Sequence, residues 1–208
     1  MKMISPFVAS TSEIKKGKQE RRMKIILASK SPRRRELLSA LFPEFDIETE
    51  EVDEALPEGL HPQKGVAALA VRKGEPIARI YTDALVISSD TLVELDGVAL
   101  GKPTSEANAC EMLRALSGNT HRVHTGVAVH YCGKCLFGTA TTSVKFRMLT
   151  EKEIADYVAT GEPMDKAGAY GIQGLGGALV DSYDGDFDTV VGLSMALLKR
   201  LCEEITND

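Results

Sequence analysis

The alternation of apolar and polar positions near the start of the chain predicts a strand, a tight turn and a helix. Residues 24–29 (KIILAS) are an apolar run between polar neighbours, which is typical of a short buried strand. Ser31 can cap the following helix, Pro32 suits its first position, and an apolar helical face begins at Leu37.

Downstream, the same reading predicts helices that alternate with hairpin strands. It predicts a helix around Val66 to Ile77, interrupted near its end by Gly74 and Pro76, and then a central strand 84–95 that turns at Asp96–Gly97 into strand 98–100. A helix 105–116 and the paired strands 120–131 and 136–148 follow, and Thr150 and Glu153 form a capping box that opens the next helix. The chain then continues through a glycine-rich segment 165–178, a short strand 178–182 and a last helix 192–202. Long helices mixed with hairpin strands favour an α/β fold, elongated and two-lobed, on a mixed sheet flanked by helices.

Composition limits the size and the class of this fold. The 208 residues are 43% hydrophobic, 26% charged and 5% aromatic, enough apolar material for one large domain or for two lobes that share a cleft. Residues 1–22 are polar and mixed in charge, which predicts a flexible extension before a domain over residues 23–208. No apolar run is long enough to cross a bilayer.

Charge and cysteine content narrow the possible partners. A formal net charge of -5 argues against broad binding to nucleic acid, so an anionic substrate must be drawn by local basic clusters. The four cysteines are too scattered for a disulfide scaffold, and a reducing, cytoplasmic setting fits them best. Cys132 and Cys135 form a lone C-x-x-C, which is either a Gly133-Lys134 turn or half of a metal site completed by His130.

Three arginines at the start of the first predicted helix are the first sign of chemistry. Arg33, Arg34 and Arg35 stand where backbone N–H groups and the helix dipole already favour an anion. Cations there are mildly unfavourable for the helix itself. A solvated basic patch is the alternative, but phosphate binding explains the arrangement better.

Asp90 is the second sign, because it follows the apolar run ALVISS inside the predicted central strand. A carboxylate in that position is costly to desolvate unless it binds a cation or takes part in a reaction. With a carboxylate from the acidic loop ETEEVDEAL it could hold one magnesium ion through oxygen ligands. Lys73, Lys102 and Lys166 are further candidates, although most lysines are simply solvated.

Several familiar motifs do not fit. The run from Gly97 to Pro103 is one residue short of a P-loop, and GIQGLGG departs from the dinucleotide-binding pattern G-x-G-x-x-G. Serine, histidine and aspartate are present as in a hydrolase triad, but the sequence lacks the nucleophile-elbow pattern that such a hydrolase would have. The residues alone therefore support phosphate chemistry without naming the substrate.

These segments resemble the Maf family of nucleotide pyrophosphatases, in order from about Lys24 to about Leu201. The matching stretches are ILASKSPRRRELL, EVDE, LAVRKG, SSDTLVELDG, LGKP, MLRALSGNTHRVHTGVAV, EPMDKAGAYGIQGLGGALV and VVGL. The resemblance implies a Maf/Ham1-like α/β fold with the active site in a cleft between lobes, a homodimer, and hydrolysis of a nucleoside triphosphate to the monophosphate and pyrophosphate. It also implies a divalent cation, Mg²⁺ or Mn²⁺.

The resemblance assigns roles to individual residues. It implies that Asp90 and Glu54 hold the metal and belong to the catalytic set with Lys73 and Lys102. The substrate-binding residues that it implies are Ser29, Arg33, Arg34, Thr91, Lys166 and Gln173, with Gln173 and Thr91 expected to read base edges.

Branch-specific residues refine the substrate. Arg33, Thr91 and the complete DKAGAYGIQG match the branch that prefers dTTP and UTP, whereas the branch acting on methylated guanine nucleotides has Trp, Gln and no such segment.

Ser194 replaces a family proline, which predicts a softer start to the last helix, and Gly74-Glu75-Pro76 leaves the path of the second helix open. The alternatives are a pyrophosphatase for methylated guanine nucleotides and a nucleotide-binding regulator of cell division without turnover.

Overall fold

A computed structural model describes residues 23–55 and 60–207, so the predicted extension over residues 1–22 lies outside the described residues. The chain forms a mixed, seven-stranded sheet with helices on both faces, which confirms the predicted fold class. The strands are β1 (Ile25–Leu27), β2 (Asp46–Ile47), β3 (Leu85–Leu95), β4 (Val98–Leu100), β5 (Thr120–Tyr131), β6 (Lys134–Phe146) and β7 (Val180–Asp184). None of the helices in the described ranges is both long and apolar enough to cross a membrane.

The strand order β2-β1-β3-β5-β6-β7 leaves a gap beside the central strand. One edge of β3 pairs with β5 along residues 86–94. Its other edge pairs with β1 over residues 85–87 and with β4 over residues 93–95. Between these two short strands, residues 88–92 of β3 face a break in the sheet.

Helices cover the two faces of this sheet unequally. They are α1 (Pro32–Ser39), α2 (Pro62–Ile80), α3 (Glu106–Leu116), α4 (Glu151–Ala159), α5 (Phe187–Val191) and α6 (Met195–Asn207). Helix α2 lies along one face, where the Ser88 hydroxyl of β3 donates to the Ala70 carbonyl at 2.7 Å. The other face carries α1 and α6 at one end and α3 with α4 at the opposite end, and α5 contacts α1, β5 and β6.

Two separate hydrophobic clusters on that second face define two lobes. In the first lobe, Leu85 and Ile87 of β3 pack with Leu38 of α1 and with leucines of α6. In the second lobe, Val93 of β3 and Phe146 of β6 pack with α3, α4 and the short 3-10 turns over residues 162–179. The cleft described below lies between the lobes, as predicted.

Local sequence rules account for most helix starts. The Ser31 hydroxyl caps α1, and Thr150 and Glu153 form the predicted capping box of α4. Ser194 also caps α6, because its hydroxyl accepts a hydrogen bond from the Leu197 N–H at 3.4 Å. The serine that replaces the family proline therefore gives this helix start a hydrogen bond of its own.

The predicted interruption of the second helix is wrong, because α2 continues through Gly74 and Pro76 to Ile80. Proline removes one helical hydrogen bond, but Ile77, just beyond it, is buried against the sheet. A side chain at Gly74 would come within 2.6 Å of His130 and 2.5 Å of Ser88, so the glycine permits close packing. Tertiary contacts thus maintain a helix that local propensity would end.

The C-x-x-C motif lies in the predicted hairpin turn, shifted by one residue. Cys132 and Gly133 are the turn residues, with φ angles of 47° and 79°, and Lys134 already begins β6. Outside residues 56–59 and the chain ends, no group of three or more His, Cys, Asp or Glu side chains could hold a metal ion. The motif is therefore part of the β5–β6 hairpin.

Candidate active site

A cleft of about 1560 Å³ opens at the gap beside β3. It begins at the carboxyl end of β1, the position where sheets with parallel strands commonly bind ligands. Because residues 88–92 of β3 border the break, side chains from both faces of this strand reach the cleft. Its walls are the start of α1, the acidic loop 49–54, the middle of α2 and the segment 162–174.

The start of α1 forms the wall next to β1. Ser29 follows β1 and is buried, and its hydroxyl accepts a hydrogen bond from the Ser31 N–H at 3.2 Å. This bond fixes the turn that leads into the helix. The helix dipole and the first N–H groups then point toward the cleft edge, where an anion is favoured.

Arg34 lines the cleft floor, where hydrogen bonds to other protein groups hold its guanidinium. Its Nε donates to the Gly192 carbonyl at 2.9 Å and its Nη2 to the Thr91 hydroxyl at 3.2 Å. Burial lowers the pKa of this guanidinium, and the nearby Asp90 carboxylate opposes the shift. Arg34 therefore brings positive charge to the cleft floor from a fixed position.

Thr91 is engaged by protein groups on both sides. Its hydroxyl lies 3.0 Å from that of Thr125, which itself donates to the Thr189 carbonyl at 2.7 Å. Because Thr125 already donates its only hydroxyl proton to the Thr189 carbonyl, the Thr91 hydroxyl donates to Thr125 and accepts from Arg34. In this arrangement Thr91 positions Arg34, and a role in reading the base would require these bonds to change.

Asp90, Lys73 and Glu54 meet at the centre of the cleft. The Lys73 ammonium of α2 lies 2.5 Å from Asp90 Oδ1 and 2.9 Å from Glu54 Oε1. Asp90 is only 7% exposed, whereas the side chain of Glu54 is 60% exposed on the loop. One lysine thus draws together a buried carboxylate and a loop carboxylate that would otherwise repel each other.

Arg33 and Lys166 converge on Asp165, across the mouth of the cleft. Arg33 Nη1 lies 3.7 Å from Asp165 Oδ2, and Lys166 Nζ lies 2.6 Å from Asp165 Oδ1. Desolvation favours the neutral form of Asp165, but Lys166 and Arg33 outweigh this effect and lower the pKa of its carboxyl. This ion pair joins α1 to the 3-10 turn of the second lobe.

Lys102 and Gln173 complete the set from the second lobe. Lys102 follows β4 and is exposed, without an ion-pair partner in the part of the chain that the structure describes. Gln173 is exposed in a turn within the glycine-rich segment. The Gly168 N–H donates to the Gly101 carbonyl at 3.0 Å, which ties the lysine's loop to the start of that segment.

All ten residues predicted for the site line this one cleft. The family profile described as "Maf-like protein" matches residues 24–205 of the chain. The chain belongs to the Maf family.

Curated members of the Maf family are similar over most of their length. The "dTTP/UTP pyrophosphatase" of Moorella thermoacetica is 51% identical over 180 residues, which are 86% of this chain and 93% of that protein. A Bacillus mycoides protein of the same name is 46% identical over 89% of this chain and 97% of its own. Among solved structures, the Ham1 protein of Staphylococcus aureus is 18% identical, with a TM-score of 0.41 over 59% of this chain and 71% of that chain.

The sequence prediction missed Glu162 and Tyr157, which organise the glycine-rich wall of this Maf cleft. Glu162 accepts hydrogen bonds from the Leu175 and Gly176 N–H groups and from the Tyr157 hydroxyl. A glycine-rich segment without regular secondary structure has backbone N–H groups that need hydrogen-bond acceptors from elsewhere. That requirement was the sequence signal that could have pointed to a nearby carboxylate such as Glu162.

The carboxylates present fit a divalent cation. Asp90 and Glu54 already converge on one positive charge, and their oxygen atoms are the ligands that Mg²⁺ and Mn²⁺ accept. Two protein carboxylates leave positions that phosphate oxygens and water can fill, which is usual for magnesium sites on phosphate substrates. The donor chemistry of this Maf cleft thus agrees with the predicted metal.

Proposed function

We propose that this chain hydrolyses dTTP and UTP to the nucleoside monophosphate and pyrophosphate with the help of a divalent cation. The observation that carries the proposal is the meeting of Asp90, Lys73 and Glu54 in a cleft whose wall is the basic start of α1. Close relatives over most of the chain are named dTTP/UTP pyrophosphatases, which supports the same substrate class here.

Positive groups on both sides of the cleft would bind the triphosphate. Arg33 and the helix start lie in the first lobe, and Lys102 and Lys166 lie in the second. A triphosphate bound between them would replace Asp165 as the ion-pair partner of Arg33, because phosphate carries more negative charge than one carboxylate. The substrate would then link the two lobes where an ion pair links them now.

The reaction needs a water molecule, a base and compensation of charge on phosphate. A cation held by Asp90 and Glu54 would act as a Lewis acid toward phosphate oxygens and increase the acidity of water. Water forms a bond to the α-phosphorus, the bond from that phosphorus to the bridging oxygen breaks, and pyrophosphate leaves. Asp90 or Glu54 takes the proton of the water, and Lys73 and Lys102 offset charge on the phosphate oxygens.

Pyrophosphate release from a panel of nucleoside triphosphates tests the proposal. The panel holds dTTP, UTP, dCTP, GTP and 7-methyl-GTP, each with Mg²⁺, with Mn²⁺ and with chelator. We expect metal-dependent release that is fastest with dTTP and UTP. Selective release from 7-methyl-GTP would instead identify the methylated-guanine branch, and binding of nucleotide without any release would identify a regulator.

A homodimer and a cytoplasmic location stay predictions. Light scattering of the purified chain tests the first, because a dimer doubles the mass of 22.5 kDa per chain. Fractionation of cells that produce the full chain tests the second.

A further inference from the structure

The segment that carries Gln173 is a hydrogen-bonded turn. The Gly174 N–H donates to the Gly171 carbonyl at 3.2 Å, so Ile172 and Gln173 occupy the two central positions. Both line the cleft, and Ile172 also packs against the core of the second lobe. The turn therefore sets the direction in which the Cα–Cβ bond of Gln173 leaves the backbone.

A carboxylate and a phenol hold the turn at both ends. Glu162 Oε2 accepts from the Leu175 N–H at 2.9 Å, and its Oε1 accepts from the Gly176 N–H at 3.1 Å. The Tyr157 hydroxyl donates to Glu162 Oε1 at 2.9 Å and accepts from the Gly171 N–H at 3.2 Å. Three N–H groups of the turn and its flank thus bond to one connected pair of side chains.

The glycines leave the space that this pair occupies. A Cβ atom at Gly174 would lie 2.5 Å from Glu162 Oε1, and one at Gly176 would lie 2.5 Å from the Tyr157 hydroxyl. Neither glycine has a positive φ angle, so close approach, rather than an unusual backbone, requires glycine here. Contact with the Glu162 and Tyr157 side chains therefore explains why two positions of GIQGLGG, Gly174 and Gly176, are glycines.

Glu162 is anchored and charged. It follows α4, Tyr157 is buried in the core of the second lobe, and Lys166 Nζ donates to the Glu162 carbonyl at 2.5 Å. Burial favours the neutral acid, but the N–H groups of Gly176 and Leu175 and the Tyr157 hydroxyl outweigh it and lower the pKa of Glu162. An ionised acceptor makes stronger hydrogen bonds to N–H groups than a neutral one.

We infer that Glu162, together with Tyr157, is a positioning residue for base selection, because it fixes the turn that presents Gln173 to the nucleotide. The inference rests on the proposed function, in which the cleft binds a pyrimidine nucleoside triphosphate. Within the part of the chain that the structure describes, no hydrogen bond or ion pair joins Glu162 to Asp90, Lys73 or Glu54. Its loss should therefore weaken nucleotide binding and base discrimination more than the chemical step.

Glu162→Gln and Tyr157→Phe test the inference with minimal change of shape. Glutamine keeps one oxygen acceptor where two are used, and phenylalanine removes only the hydroxyl. For each variant we expect KM for dTTP to rise about 10-fold, kcat to change by less than about 3-fold, and the preference for dTTP over dCTP to fall about 10-fold, the effect of one or two lost hydrogen bonds. In the double variant, the rise in KM should be smaller than the product of the rises in the two single variants, because Glu162 and Tyr157 share a hydrogen bond.

Two further readouts separate this role from general damage. Inhibition by inorganic tripolyphosphate should stay within about twofold of wild type, because the turn is not assigned to the phosphates. Glu151→Gln is the matched control: its carboxylate pairs with Arg114 on the surface of α4 and should leave KM, kcat and base preference unchanged.

Amide hydrogen exchange reports on the turn without catalysis. In wild type the N–H groups of Gly171, Leu175 and Gly176 should exchange slowly, and both variants should accelerate them. If the wild-type chain released pyrophosphate from no nucleotide, the proposed function would fail, while the exchange result would still decide whether the pair holds the turn. Wild-type KM and base preference in folded Glu162→Gln, or unaltered exchange at these amides, would overturn the inference.

Discussion

At the scale of single residues, the contact that matters most is Lys73 between Asp90 and Glu54. Asp90 is buried on β3 and costly to leave unpaired, and Lys73 supplies its partner at 2.5 Å. Glu54 joins them from an exposed loop at 2.9 Å. One lysine ammonium therefore offsets the negative charge of a buried and an exposed acid at the same time.

Asp90→Asn separates the chemical role of this acid from its structural role. The amide oxygen can still accept from Lys73, so we expect the melting temperature to change little. Turnover of dTTP should fall at least about 100-fold, because the amide neither binds a cation well nor takes a proton. Asp96→Asn, in the exposed β3–β4 turn, is the control that should keep activity. A folded Asp90→Asn variant with near-normal pyrophosphate release would contradict the assignment.

At the scale of elements, α2 lies so close to β5 that a glycine is needed at one position of that strand. A Cβ atom at Gly126 of β5 would come within 2.3 Å of the Val66 carbonyl oxygen of α2. This oxygen is backbone, so the whole helix would have to move. Because α2 carries Lys73 and β3 carries Asp90, the same close packing sets the distance between these two groups.

Gly126→Ala should therefore affect both stability and activity. We expect the free energy of unfolding to fall by about 1–3 kcal/mol, the usual cost of overpacking, and kcat/KM for dTTP to fall as Lys73 moves from Asp90. Urea denaturation and pyrophosphate release measure the two effects. Gly138→Ala on β6 would meet only the ends of flexible side chains, Leu197 at 3.1 Å and Arg200 at 3.9 Å, and should cost less in both. Equal losses in the two variants would show that the helix does not depend on this contact.

Elements with local rules could be predicted from the sequence, and elements that depend on distant contacts could not. Strand β3, the capping box at Thr150 and the helix start at Ser31 follow from nearby residues, and so does the choice of Asp90. Strand β2 has only two residues, both exposed, and exists through its pairing with β1. The role of Glu162 depends on N–H groups 13 and 14 residues away, which no local pattern reveals.

At the scale of the whole molecule, the second lobe contains a buried titratable group outside the site. His121 of β5 is 1% exposed, its Nε2 lies 2.8 Å from the Tyr170 hydroxyl, and its Nδ1 has no hydrogen-bond partner in the described ranges. Burial lowers the pKa of His121 to about 4. The folded protein thus keeps this imidazole neutral at pH values where the unfolded chain binds a proton.

Stability should accordingly fall in mild acid. The contribution of His121 is complete above about pH 6.5, decreases as the pH falls toward 4 and levels off below, with a total of about 3 kcal/mol. His121→Gln cannot titrate, so its free energy of unfolding should depend less on pH over this interval. Urea denaturation of both proteins between pH 7 and pH 4.5 measures the difference. Parallel curves would mean that the pKa of His121 is the same in the folded and in the unfolded chain.

The long strands have a consequence for the whole chain, because β5 and β6 run through both lobes. Val127 and Val129 of β5 belong to the core of the first lobe, and Val123 of the same strand belongs to the second. Neither lobe can lose its core without releasing strands that the other needs, so we expect the lobes to unfold as one cooperative unit. Damage around α3, which does not line the cleft, should then reduce the number of folded molecules in a cell, while each molecule that remains folded turns over at its normal rate.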